Sequence, residues 1–302
     1  MKDQQSLWMK LEKTVGLQKL IALIALIVIF GFFAISSESF RSFDTAVSIL
    51  DASYYIGFLA IGVTFVIITS GIDLSIGTVM MCSAIIGGVL HTKLGWPLWL
   101  SLLAILVIGG VFGLFNGILI AKFGLPPFIA TLGTMMISRG LSSIVSNVQS
   151  VTFPLRGTGE GWYKDLFRTK ENFPTGLIVL IIIAIIAAIV LNKTKIGRYI
   201  FAIGSNKEAT RLSGVNVIKW EAMAYVISGL FAGLAGIAYA ATYSTILPGT
   251  GNGMELDAIA GVVVGGTSLA GGVGSVLGTI IGVFIMSVLK IGLPYIDLQP
   301  HY

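Results

Sequence analysis

Few side chains in this sequence are suited to catalysis or metal binding. Cys82 is the only cysteine, and His91 and His301 are the only histidines. An intramolecular disulfide and a cysteine-based metal cluster are therefore excluded. The phosphate-binding motif G-x-x-x-x-G-K-[ST] and the zinc motif H-E-x-x-H are also missing from the sequence. We expect a chain without enzymatic activity, bound metal or bound cofactor of its own, and any nucleotide that its function requires must bind to another polypeptide.

Residues 202–220, AIGSNKEATRLSGVNVIKW, form a polar segment in an otherwise apolar sequence. Ser205 and Glu208 have the S-x-x-E spacing of a capping box, in which each side chain accepts a hydrogen bond from the backbone N–H of the other residue. Gly214 can end a helix in the left-handed conformation. These signals predict a short helix over about 206–213.

This short helix would carry a small apolar patch, Ala209 and Leu212, beside the charges of Lys207 and Arg211. It is too short to cross a membrane, so it would lie along the surface. It either binds a groove in a partner protein or merely connects two spans, and the local sequence favours neither. The residues of this candidate docking helix are Ser205, Asn206, Lys207, Glu208, Ala209, Arg211, Leu212 and Gly214.

The composition is that of an integral membrane protein. Of the 302 residues, 55% are hydrophobic and 11% are charged, whereas a soluble domain has about 25% charged residues. We predict an all-α polytopic bundle that forms a single transmembrane domain over residues 1–302. The apolar runs predict about nine spans, at 18–35, 55–70, 75–91, 97–121, 127–148, 175–192, 221–243, 255–269 and 273–291.

The positions of the basic residues predict how the spans are oriented. The lysine-rich segment 1–17 belongs in the cytoplasm. Alternation then places 36–54 outside, Lys122 inside, 149–174 outside and the strongly basic loop 193–220 inside. The net charge of +5 lies in such loops and does not indicate nucleic acid. Nine spans leave the carboxyl end outside, so we expect a tenth span in the complete protein.

Two glycine-containing segments predict broken or re-entrant helices, near 70–77 and near 265–273. Asp73 lies in the first of them. It is either the N-cap of a helix that starts near Leu74 or an acid that gates or lines a pathway. Arg139 falls inside a predicted span, where we expect it to be paired or to extend toward the membrane surface.

A solute pathway needs polar side chains, and many of the 38 glycines have the four-residue spacing of close helix packing. Hydroxyl groups in spans also bond to their own helix, so the sequence does not select pore residues. The candidates for a gate or pathway are Asp73, Ser75, Asn116, Thr131, Thr134, Thr267 and Ser268. Glu255 and Asp257 follow a predicted external loop and either contact an external protein or cap a helix.

Four ordered segments resemble the membrane permease subunits of bacterial ABC-type sugar importers, those for ribose in particular. They are SGIDLSIGTVM (70–80), NGILIAKFGLPPFIATLGTM (116–135), GRYIFAIGSNKEATRLSGVNV (197–217) and GMELDAIAGVVVGGTSLAGGVGSVLGTIIG (253–282). The resemblance runs from about residue 40 to the end. It implies a homodimer in the bacterial inner membrane, an ABC ATPase that carries ATP and Mg²⁺, and a periplasmic sugar-binding protein.

In such importers a cytoplasmic helix of the permease docks into the ATPase, and residues 205–214 match its position. Glu208, Ala209 and Gly214 also have the E-A-A-x-x-x-G spacing described for ABC importers, with Thr210 in place of the second alanine. The Ile and Leu-Pro that follow in other importer classes are missing. The alternative is a stand-alone, ion-coupled transporter of a small polar solute. That alternative needs an acid or a histidine deep in a span, for which Asp73 is a poor sole candidate.

Overall fold

The computed structural model describes residues 17–167 and 173–299. Most of the predicted cytoplasmic segment 1–17 lies outside the described residues. The same holds for part of the predicted external loop, 168–172, and for the carboxyl-terminal residues 300–302.

Helices make up most of the described chain, as the all-α prediction requires. They are α1 (Leu17–Ser36), α2 (Phe43–Ile68), α3 (Ile76–Thr92), α4 (Leu98–Gly117), α5 (Pro127–Ser146), α6 (Lys164–Phe167), α7 (Thr175–Lys193), α8 (Lys195–Ser205), α9 (Lys207–Leu212), α10 (Val217–Tyr243), α11 (Met254–Val264) and α12 (Val276–Gly292). A π-helical turn, Ile118–Lys122, extends α4, and 3₁₀ segments occupy Ser39–Arg41, Gly161–Tyr163 and Leu293–Ile296. Two short strands that we did not predict, β1 (Val151–Thr152) and β2 (Thr245–Ile246), pair antiparallel.

In the described part of the chain, seven helices are long and apolar enough to cross a membrane. The predicted count of nine is not confirmed, because two of the nine predicted segments form shorter helices. α3 has 17 residues and α11 has 11 residues. At about 1.5 Å per residue, α11 is about 16 Å long and covers about half of a hydrocarbon core that is about 30 Å thick.

Both short helices adjoin a break in the helical structure, close to the segments predicted as broken or re-entrant. The first break, 69–75, precedes α3, and the second break, 265–275, follows α11. Ser70 has a φ of 64°, and Gly272 has a φ of 71°. These left-handed conformations turn the backbone sharply and are adopted most readily by glycine.

The second predicted span begins earlier than expected. Residues 43–54 were assigned to the external loop 36–54, but they form the first turns of α2. Ser42 caps this helix by accepting a hydrogen bond from the Thr45 backbone N–H at 3.2 Å. Asp44 and Asp51 lower the local hydropathy, so a prediction based on apolar runs did not extend the helix to residues 43–54.

α2 is the central helix of the bundle, and nearly all its residues from Ser53 onward are buried. A helix that is apolar all round must be covered on every side. The helices that cover α2 are mainly α7, α10, α11 and α12, which all follow it in the sequence. The hydroxyl groups of Thr64 on α2 and Thr279 on α12 lie 2.8 Å apart.

Glycines bring two pairs of helices into backbone contact, as their spacing predicts. Where α4 crosses α10, a Cβ atom on Gly109 would lie 2.2 Å from the carbonyl oxygen of Gly229. Where α11 packs on α12, a Cβ atom on Gly282 would lie 1.9 Å from the carbonyl oxygen of Gly261. Small residues allow this approach in a membrane, where packing replaces the hydrophobic effect between helices.

The α11–α12 contact predicts opposite effects for two identical substitutions. Gly282→Ala should destabilise the protein by about 1–3 kcal/mol, the usual cost of overpacking. Gly31→Ala on α1 should be neutral or stabilising, because its Cβ meets no atom within 4 Å and alanine favours a helix over glycine by about 1 kcal/mol. Thermal midpoints of the two detergent-solubilised variants test this, and equal midpoints would contradict it.

Candidate docking helix and buried polar network

The short helix predicted over about 206–213 is present as α9 (Lys207–Leu212), but its N-terminal cap is one residue later than predicted. Asn206 is the cap, and its side chain accepts a hydrogen bond from the Ala209 backbone N–H at 2.9 Å. The predicted Ser205–Glu208 capping box is wrong. Ser205 still belongs to α8, where its hydroxyl donates to the carbonyl of Phe201 at 2.9 Å. Glu208 instead pairs with a neighbour on α9.

The outward face of α9 has the predicted character. Leu212 is 78% exposed, and Ala209 is also exposed. Glu208 and Arg211 form an exposed ion pair with an N–O distance of 2.5 Å beside them, which raises the pKa of Arg211. Gly214 follows the helix with a φ of 82°, the predicted left-handed conformation. An open groove of about 570 Å³ separates α9 from α8.

Lys207 connects α9 to a membrane-spanning helix. Its ammonium group lies 2.8 Å from a carboxylate oxygen of Glu221, near the start of α10. Glu221 is buried, and its other carboxylate oxygen has no hydrogen-bond partner among the described residues. Removing Lys207 would therefore leave a buried carboxylate without a counter-charge, which is costly.

The two breaks contact each other and the residues that precede α9. We call this contact region the inner junction; it consists of Ile68–Gly71, Gly204–Ser205 and Ser268–Gly274. The Ser70 hydroxyl donates to the carbonyl of Ala270 at 2.8 Å. The Gly272 N–H donates to the carbonyl of Ile68 at 2.9 Å. Gly204 packs so closely that a Cβ atom there would lie 1.7 Å from the Ile68 oxygen. The residues just before α9 therefore pack directly against both breaks.

The first break is fixed by Asp73, which is buried. One carboxyl oxygen accepts from the backbone N–H and the hydroxyl of Ser75, at 3.0 and 2.6 Å. The other accepts from the hydroxyl of Ser228 on α10 at 2.9 Å. The N-cap prediction placed the helix start near Leu74, but α3 begins at Ile76. Asp73 thus closes the turn before the helix rather than capping it.

Further hydrogen bonds extend from Ser75 to two more helices. The Asn116 amide donates to the Ser75 hydroxyl at 2.9 Å, and Thr134 donates to Asn116 at 2.5 Å. Ser138 donates to Thr78 at 2.8 Å, and Thr78 donates to the Ser75 carbonyl at 3.0 Å. We call this buried set the polar network; it joins α3, α4, α5 and α10 through Asp73, Ser75, Thr78, Asn116, Thr134, Ser138 and Ser228.

The polar network contains four of the seven predicted pathway candidates, Asp73, Ser75, Asn116 and Thr134. The other three lie elsewhere. Thr131 donates to the Pro127 carbonyl of its own helix at 2.8 Å. Thr267 is buried, and its hydroxyl has no hydrogen-bond partner among the described residues. Ser268 accepts from the Ala270 N–H at 3.2 Å. All members of the polar network are closed to water in this conformation.

The predicted contacts for an external protein are not equally available. Glu255 is buried, and both its carboxylate oxygens accept from the Gly253 N–H, at 3.0 and 3.1 Å. In this conformation it closes the turn before α11 and offers no carboxylate to a partner. Asp257 is partly exposed and forms an ion pair with Lys290 on α12.

Four residues of this region were not identified from the sequence: Glu221, Tyr225, Ser228 and Thr78. Glu221, Tyr225 and Ser228 are spaced at i, i+4 and i+7 and form one polar stripe on α10. This stripe contacts Lys207 and then both Ile72 and Asp73 in the first break. This polar stripe can be recognised in the sequence, but the sequence does not show that the stripe contacts the first break.

The comparisons with known proteins agree with this architecture. A family model described as "Branched-chain amino acid transport system / permease component" matches residues 45–302. The ribose import permease protein of Escherichia coli (strain K12) is 37% identical over 93% of this chain and 87% of its own length. No solved structure matches the chain.

Permeases named for other sugars are also similar. The fructose import permease protein of Bifidobacterium longum (strain NCC 2705) is 38% identical over 80% of this chain and 72% of its own length. The xylose transport system permease protein of Haemophilus influenzae is 31% identical over 96% of this chain and 93% of its own length. With its spanning helices, its two breaks and this match over most of its length, the chain belongs to the permease family of the branched-chain amino acid transport system type.

Proposed function

We propose that this chain is the membrane-spanning subunit of an ATP-driven sugar importer and forms the pathway for a pentose such as ribose. Similar permeases are named for ribose, fructose and xylose. The family description names branched-chain amino acids, so an amino acid is the second candidate solute. The hydroxyl and amide groups of the polar network suit a neutral, hydroxyl-bearing solute better than an aliphatic side chain.

The observation that carries this proposal is the exposed helix α9, which an ion pair joins to α10 and which follows directly on residues that pack against both breaks. The exposed Leu212 and Ala209, with charged residues around them, have the apolar centre and polar rim of a protein interface. ATP and Mg²⁺ bind to the partner at this interface, an ABC ATPase, and no cofactor binds to this chain. When ATP closes two ATPase subunits, each pulls on its docked α9.

The pull has two routes into the membrane. One runs through the Lys207–Glu221 ion pair to α10, whose next two turns hold Ile72 and Asp73. The other runs through Gly204 at the inner junction. Both routes end at breaks in helices, where the backbone can change direction without disrupting a whole helix.

The assembly completes the proposal. Two copies of the chain pair in the lipid of the bacterial inner membrane, with the N-terminus and α9 in the cytoplasm. The strong excess of basic over acidic residues in the 193–220 loop favours that side. A periplasmic sugar-binding protein delivers the solute at the opposite end, where β1 and β2 pair and Asp257 is partly exposed.

The test is uptake into proteoliposomes that contain the chain with the ATPase and binding protein of its own transport system. Labelled ribose should accumulate only when ATP and both partners are present, and labelled leucine should not. Uptake of leucine instead of ribose would show that the transported solute is an amino acid. Uptake by the chain alone, driven by an ion gradient, would overturn the proposal in favour of the secondary transporter.

A further inference from the structure

Arg139 is a charged residue within a membrane-spanning helix. α5 has 20 residues, Pro127–Ser146, and is therefore about 30 Å long. Arg139 lies seven residues, about 10 Å of helix rise, before the end of α5. Within spans, such residues almost always pair with another group or face a water-filled cavity.

The expected pairing partner is not found in the part of the chain that the structure describes. Among residues 17–167 and 173–299, the guanidinium group of Arg139 makes no hydrogen bond and no ion pair. The nearby Ser142 and Ser143 hydroxyls donate to its backbone carbonyl, at 2.7 and 3.2 Å. The side chain is half-buried, so it is neither sealed in the bundle nor fully exposed at the protein surface.

The two faces of α5 locate Arg139 more closely. One face is polar and buried, with Thr131, Thr134, Ser138, Ser142 and Ser146. The opposite face exposes large apolar side chains, among them Phe128, Ile129, Met136, Ile137 and Ile144. Arg139 lies at the edge between them, one residue after Ser138 of the polar network.

We propose that Arg139 faces the water-filled route of the transported solute and donates hydrogen bonds to its oxygen atoms. A guanidinium carries five N–H donors in a planar fork that matches two adjacent oxygen atoms. Contact with lipid would cost about 2.5–3.5 kcal/mol on insertion scales. In a dry interface between two copies, each guanidinium would need an acceptor or an acid supplied by the second copy. The identity of the solute as a sugar rests on the proposed function.

A thiol-labelling experiment tests water access without relying on transport. The native Cys82 is fully buried, so Arg139→Cys places a new thiol in the complete chain with little background. In proteoliposomes of the assembled importer, a membrane-impermeant maleimide should modify this thiol. Ile185→Cys on α7, at a 54% exposed apolar position, is the lipid-facing control and should react at least about tenfold more slowly.

Solute contact is tested in the same preparation by adding ribose with the binding protein and ATP. Protection of the thiol by ribose supports the proposal. No labelling in any nucleotide state, or labelling that neither ribose nor leucine slows, overturns it. Protection by leucine alone keeps Arg139 on the route and overturns the sugar assignment instead.

Transport kinetics separate solute contact from a structural role. Arg139→Gln should reduce ribose uptake per ATP hydrolysed about tenfold or more, because a charged donor is lost, and Arg139→Lys should recover part of it. Thermal midpoint and binding of the ATPase subunit should stay unchanged in both variants. If Arg139→Gln instead separates the two copies of the chain, the guanidinium pairs with the second copy and the proposal fails.

Discussion

Leu212→Asp is expected to abolish ATP-driven uptake while the protein still inserts into the membrane. Leu212 is 78% exposed on α9, so the substitution leaves the packing of the bundle untouched. At the centre of a docking surface, loss of an anchoring side chain costs about 2 kcal/mol or more, which weakens binding about 30-fold. A buried aspartate in the partner's groove adds a desolvation cost.

The measurement is co-purification of the ATPase subunit together with uptake of labelled ribose. Leu155→Asp is the matched control, because Leu155 is 56% exposed in the loop at the opposite end of the bundle. That variant should keep the ATPase subunit bound. If the Leu212 variant retains both the ATPase subunit and normal uptake, α9 is not the docking helix.

Asp73→Leu is expected to destabilise the protein by about 2–4 kcal/mol and to stop transport. Leucine has a similar size but accepts none of the three hydrogen bonds that Ser75 and Ser228 donate. Each buried donor that is left without an acceptor costs about 1–3 kcal/mol. Thermal midpoint in detergent and uptake in proteoliposomes measure the two effects.

Two further variants separate the role of Asp73 from a general effect of removing an acid. Asp44→Leu removes an exposed acid from the first turn of α2, so only the helix-dipole contribution, about 0.3–1 kcal/mol, should be lost. Asp73→Asn keeps an acceptor for Ser75 and can donate to Ser228, so its stability should stay near that of the unmodified protein. A normal midpoint for Asp73→Leu would show that the polar network does not hold the first break.

Local features were predictable from the sequence where the signal and the structure occupy the same few residues. α9 has a cap at its start and Gly214 at its end, so its position was predicted to within one residue. The error at Ser205 arose because α8 continues to that residue. Its amphipathic segment, Lys195–Ser205, was not recognised as a helix of its own.

Contacts between distant residues were not predictable. Asp73 and Ser228 are separated by 155 residues, and no local pattern marks them as neighbours. The short α11 was predicted as a full span, because a sum of apolar residues over 255–269 does not register the turn at Gly265 and Gly266. The half-buried position of Arg139 also depends on how α5 packs, which its own sequence does not determine.

The central position of α2 has a consequence for how the protein is made. The helices that cover α2 mainly follow it in the sequence and are therefore synthesised later, and the last of them is α12. Until α12 has been synthesised, Thr64 lacks the Thr279 hydroxyl with which it is paired in the finished protein. Without α12, one side of α2 stays uncovered unless an insertion factor shields it. Biogenesis should therefore fail when synthesis stops before α12.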